Sequence, residues 1–136
     1  MDIVRTGVIL NTERYEACVA FYRDLFGLEV LFRREEEGFR LTCFDYGGAY
    51  LMVETGGLAQ PAGKTAQESP AKLRFNVADI HAALETVQAH GIDAEIVAND
   101  WGHTIDIHDP DGNRVGIRDE ATFAAADDSA PTAAKR

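Results

Sequence analysis

The chain has 136 residues, 46% of them hydrophobic and 26% charged. That length supports one ordinary core and not two full-sized domains, and the composition is that of a soluble globular protein. A formal net charge of −10 argues against nucleic acid and anionic membrane as partners.

No apolar run approaches the ~20 residues of a membrane-spanning helix. The opening MDIVRTGVIL lacks the basic, apolar and small-residue regions of a signal peptide, so a cytoplasmic location is expected. Two cysteines, Cys18 and Cys43, are too few for a disulfide framework. Neither has a cationic sequence neighbour of the kind that marks a nucleophile, and both are expected to be buried free thiols.

In chain order, residues 3–11 alternate like a half-buried strand. Thr12 is placed as the N-cap of a helix whose Tyr15, Cys18, Val19, Tyr22, Leu25 and Phe26 recur at helical spacing, and Gly27 stops it. Strands are predicted over 28–34, 39–46 and 49–54, with turns at EEEG and YGG. Residues 55–70 are rich in Gly, Pro and small polar residues and read as a linker. The pattern then restarts. AKLRFNV alternates, Asp79 caps a helix with Ile80, Ala83, Leu84 and Val87 on one face, and Gly91 ends it. Strands are predicted over 93–98, 103–108 and 113–118, the last two joined by DPDGN, which reads as nothing more than a good turn. The tail, 120–136, is expected to be a short helix pinned by Phe123 or disordered.

The order β-α-β-β-β therefore occurs twice, about 64 residues apart from Gly27 to Gly91. The expectation is an α+β fold: one domain over 1–119 built of modules 1–54 and 71–119 that form paired curved sheets. This duplication, the helix signature FYRDLFGLEV and the hairpin DPDGN together resemble the vicinal oxygen chelate superfamily, which holds glyoxalase I, the extradiol dioxygenases and the fosfomycin- and bleomycin-resistance proteins. The resemblance covers residues 3 to about 119. It implies a homodimer with clefts shared between subunits, and it assigns four metal-ligand positions, which fall here on Gly7, Glu54, Lys72 and Gly116. Only Glu54 can bind a metal, and Lys72 would repel one. No cofactor is expected, and a divalent metal is disfavoured.

Strand parity decides what else faces the cavity. Val4, Val8 and Leu10 should cover the first helix, leaving Arg5, Gly7, Ile9 and Asn11 on the cavity side. Leu51 and Val53 leave Tyr50, Met52 and Glu54. Leu73, Phe75 and Val77 leave Lys72, Arg74 and Asn76. Val115 and Ile117 leave Arg114, Gly116 and Arg118. Four cations on inward parity require carboxylates, a bound anion or access to water. Trp101, the only tryptophan, precedes the seventh strand in a WG pair like that of the bleomycin-resistance proteins, which implies an aromatic wall for a flat ligand.

The leading expectation is a metal-independent protein that binds and sequesters a small molecule through Glu54, Lys72, Arg74, Trp101, Arg114 and Arg118. The alternatives are a lyase or dioxygenase with a shifted metal set (Glu54, Asp106, His108), a metal-free isomerase with Glu54 as general base, and a structural or regulatory dimer with a filled cavity. His81 and His90 read as solvated helix ends, and His103 falls on the face opposite His108.

Overall fold

Strands β1 (Gly7–Thr12), β2 (Val30–Glu36), β3 (Phe39–Tyr46) and β4 (Ala49–Thr55) form one sheet in the order β1-β4-β3-β2, with β1 and β4 parallel. Strands β5 (Leu73–Val77), β6 (Val97–Asn99), β7 (Gly102–His108) and β8 (Arg114–Asp119) repeat that topology as β5-β8-β7-β6, with β5 and β8 parallel. Helix α1 (Tyr15–Ala20) continues into a π-helical stretch over Phe21–Leu25, α2 spans Ile80–Ala89 and α3 spans Glu120–Ala126. The computed structural model describes residues 1–127. They fall into two units: unit 1 is Met1–Pro70 with His108–Asn113, and unit 2 is Ala71–Ile107 with the described residues from Arg114 onward. Among the described residues no helix is long and apolar enough to cross a membrane.

Alternation explains the core of each unit. In unit 1, Val8 and Leu10 lie beside Leu51 and Val53, and Thr42 and Phe44 share that face. Cys18, Val19, Tyr22 and Leu25 are buried with them, and each fully buried large side chain contributes about 1.5–3 kcal/mol. In unit 2, Leu73 and Val115 pair, as do Phe75 and Ile117, and Ile105, Ile107, Ile80 and Val87 are buried. The Asp79 carboxylate accepts from the His81 and Ala82 amides, as an N-cap should. Gly91, at φ +79°, ends α2.

Several expectations are corrected, and one of the two readings of the tail holds. Residues 3–6 lie outside β1 and Val4 is exposed, because β4 offers its first partner, Tyr50, only to Gly7. Residues 93–96 keep their in–out alternation, but the strand there is only Val97–Asn99, paired with Gly102–Thr104. Thr12 is not a cap, since its hydroxyl donates to the Glu54 carbonyl. The tail is helical over Glu120–Ala126, capped by Asp119; the rest of that prediction, 128–136, lies outside the described residues.

α1 has no side-chain cap; the two residues that lead into it are held by the DPDGN turn, which is therefore more than a turn. The Asp111 carboxylate is fully buried and accepts from the Glu13 and Arg14 amides, both at 2.8 Å. Asp109 is buried beside it and accepts from the Tyr22 hydroxyl at 2.7 Å, the amides of Asp111 and Asn113, and the Asn113 side chain. Buried charges persist only when so satisfied. The stretch read as a linker is tied to the same turn: Gln60 donates to the Asp111 carbonyl, and Lys64 donates to the Gly112 carbonyl and to Asn113 Oδ1. Gly112 has φ +86°, and a Cβ there would strike the Gln60 carbonyl, so only glycine fits.

Replacing Asp111 with Ala should lower unfolding free energy by about 2–3 kcal/mol, since it orphans the Glu13 and Arg14 amides. Thr12→Val should cost about 1 kcal/mol or less. Denaturant titration distinguishes the two, and equal losses would contradict the role given to Asp111.

Candidate functional site

Register fixes which side chains share the sheet face opposite the helix-covered one. In unit 1, Gly7 pairs with Tyr50, Ile9 with Met52 and Asn11 with Glu54, as parity requires. The Tyr50 ring lies over Gly7, in the space a Cβ would take. An aromatic across from a glycine on an edge strand replaces the packing that the glycine lacks. Glu54 is half-buried, and its carboxylate has no ion-pair partner among the described residues.

In unit 2, Arg74 pairs with Gly116 and Asn76 with Arg118. A Cβ on Gly116 would meet Arg74 Nε at 3.1 Å, Lys72 Cε at 3.2 Å and Asp106 Oδ1 at 3.6 Å. The strand glycine thus makes room for three long side chains. Lys72 and Asp106 form an ion pair of 2.9 Å there, partly exposed and hence of modest strength.

Trp101 is the centre of a second group. The Arg118 guanidinium stands 4.7 Å from the Trp101 ring centroid and 5.0 Å from that of Phe123, and Arg74 stands 5.9 Å from the Trp101 ring. Arg118 donates to the Trp101 carbonyl at 2.7 Å. It is 9% exposed, and among the described residues its buried Nε has no hydrogen-bond partner. Among the described residues its charge meets aromatic faces and forms no ion pair. Trp101 itself remains 49% exposed. Asp119 organises the approach to this group. Its carboxylate accepts from the Thr122 hydroxyl and amide and from the His103 amide, which holds its pKa down at about 2.

The structure thus brings Arg74, Trp101 and Arg118 together and gives Lys72 to Asp106. Arg114 shares the inward parity of Arg118 on β8, and Glu54 belongs to unit 1. Of the shifted metal set, Asp106 is committed to Lys72, and the His108 ring packs over Gly63 in unit 1. Among the described residues no three His, Cys, Asp or Glu side chains are grouped as a metal ion would require. The donor set at the four positions named by the resemblance does not fit a metal: Tyr50 covers the first glycine, an ammonium occupies the third position, and an ion pair covers the second glycine.

Cys18 and Cys43 are free and buried. Burial, reinforced by Asp109 and Asp111, pushes the Cys18 thiol far above its usual range, so it offers no thiolate. The residues missed from sequence are Asp109 and Asp111. Their one local signal is the bond from the Asp111 amide back to Asp109, an Asx turn.

A family model described as Glyoxalase/Bleomycin resistance protein/Dioxygenase superfamily matches residues 3–117. Curated protein sequences give no match. Among solved structures, glyoxalase I of Leishmania major is similar at 14% identity and TM-score 0.74, covering 94% of each chain. The fosfomycin resistance protein FosX of Listeria monocytogenes, complexed with Mn(II) and sulfate, is similar at 15% identity and TM-score 0.69, over 88% of this chain and 93% of its own. TnmS3, an antibiotic binding protein from Streptomyces sp. CB03234, is similar at 18% identity and TM-score 0.66, over 88% of this chain and 98% of its own. At these identities the likeness establishes the fold.

Because the folded-state pKa of Asp119 is depressed from 3.8 to about 2, its contribution to stability is complete above the unfolded value and is lost as pH falls through about 2. Trp101 fluorescence should therefore hold its native value down to pH near 3.8 and change below it toward about 2, and Asp119→Ala should remove that acid step. An unchanged acid step in the variant would contradict the role given to Asp119.

Proposed function

The chain belongs to the glyoxalase/bleomycin resistance protein/dioxygenase superfamily, and from that premise we propose that it is a metal-independent binding protein for a small, flat, anionic molecule. The observation that carries this reading is the filling of the two glycine positions, Gly7 by the Tyr50 ring and Gly116 by the Lys72–Asp106 pair. With those positions filled, the chemistry left on the cavity-side face of unit 2 is an aromatic wall with cations beside it.

The half-exposed Trp101 ring supplies stacking surface. Arg118 and Arg74 sit over that ring and supply the charge for a carboxylate, sulfonate or phosphate. Lys72, neutralised by Asp106, adds little net attraction, and Arg114 is a further anchor on the same strand. Sequestration needs no bond made or broken. TnmS3, an antibiotic binding protein, is a neighbour in fold, which supports binding without chemistry as a use of this architecture. FosX with Mn(II) and glyoxalase I are neighbours too, and they keep the enzyme reading as the alternative, with Glu54 as its general base. A homodimer is part of the proposal: Ile3, Val4, Ile9 and Phe32 are exposed apolar side chains of unit 1, the last two on edge strands, and a second copy would cover them.

The test is a titration with anilinonaphthalene sulfonate, a flat anion, followed by Trp101 quenching with and without EDTA. Saturable quenching, unaffected by EDTA and about tenfold weaker in Arg118→Lys, is the expected result, since a forked contact is lost. Glu54→Gln should leave it unchanged. Binding that needs metal, or that depends on Glu54 and not on Arg118, would overturn the proposal.

A further inference from the structure

We infer that a cleft on the helix-covered side of unit 1, distinct from the Trp101 group, is a binding site for a small anion that carries a carboxylate or a phosphate. The cleft encloses about 440 Å³ between α1 and the β2–β3 hairpin, within the range of small-molecule sites. Tyr15, Val19 and Arg23 line it from the helix, and Arg33, Arg40 and Thr42 line it from the strands. Arg33 pairs across the ladder with Thr42, and Glu35 with Arg40. Thr42 lies on the same face as Val53, so Arg33 and Arg40 project from the helix-covered face.

Arg34 lines the cleft as well, as do Glu16 and Glu35, and the guanidiniums are not equivalent. Arg40 is fixed from three sides: by Glu16 of α1, by Glu35 at 3.1 Å, and by the Tyr15 ring, whose centroid lies 4.5 Å away. A guanidinium held this way is a preorganised wall rather than a mobile surface charge. Arg33 is exposed and has no acidic partner among the described residues. Arg23 donates from Nε and Nη2 to its chain neighbour Asp24, its one acidic partner among the described residues, and both are about half exposed. Arg33 therefore keeps its N–H donors for a ligand, in the planar forked geometry that suits carboxylate and phosphate oxygens, and Arg23 keeps those of its guanidinium that Asp24 does not take. The Tyr15 and Thr42 hydroxyls, hydrogen-bonded to each other at 2.6 Å, leave further donor and acceptor capacity at the base. Because the chain as a whole carries −10, its overall field repels anions, and saturable anion binding has to come from a local arrangement such as this one.

The experiment is a titration of the ¹⁵N-labelled full-length protein with inorganic phosphate and, separately, with succinate, at ionic strength held constant with sodium chloride. Saturable amide shifts at Tyr15, Arg33, Arg40 and Thr42 are expected. Tighter saturation by phosphate or by succinate identifies the preferred group, and either supports the site. Arg33→Ala, at an exposed position, should leave the fold intact and weaken binding about tenfold, the equivalent of a lost charge-assisted contact; Arg23→Ala should act in the same direction. Shifts that never saturate, that keep the same affinity in both variants, or that cluster only around Arg118 would overturn the inference. The last pattern would leave the Trp101 proposal standing.

Discussion

A carboxylate buried away from water is tolerated only where donors surround it, and Asp111 imposes that condition on unit 1. Its two oxygens take the amides at the start of α1, and Cys18 Sγ lies 3.7 Å from one of them. Asp109 beside it takes Tyr22 and Asn113. The start of the helix, the seating of its largest buried ring and the path of residues 60–64 all answer to this one turn. Burial opposes the ionisation of Cys18, and the same carboxylates add to it. A buried acid pair in this chain is thus a structural device, and its neighbours are not a nucleophilic centre.

The glycines at 7 and 116 follow a related logic. Each lacks a side chain that would otherwise project from the sheet, and each is covered by a neighbour's: an aromatic ring in one unit, an ion pair and a guanidinium in the other. The two fillings differ in electrostatics. Tyr50 adds no charge, whereas Lys72 and Asp106 cancel each other. Arg118, buried between aromatic rings, has no carboxylate partner among the described residues, and that imbalance is the ground for proposing an anionic ligand at unit 2.

Much of this was legible from residues alone. Period-two alternation assigned the faces of β1, β4, β5 and β8, because burial on one side of a strand forces it. Asp79 was readable as a cap because its partners lie two and three residues away. Thr12 misled for the same reason: it has the right chemistry in the right place, but the approach to α1 is held by Asp111, 97 residues from Arg14. Val4 misled because its alternation continues past the end of the partner strand. The linker hid its role because its hydrogen bonds are made by backbone, which composition cannot show. Parity placed Arg74 and Arg118 on one face, but their convergence on Trp101 depends on a bond to that residue's own carbonyl.

The central proposal is that the sheet faces opposite the helix-covered ones take no metal, because Tyr50 and the Lys72–Asp106 pair stand at Gly7 and Gly116. Elemental mass spectrometry after incubation with Ni, Fe, Mn and Zn salts and desalting tests it most directly. The account predicts less than about one tenth of an equivalent of any metal per chain. About one equivalent, lost on Glu54→Gln, would contradict it.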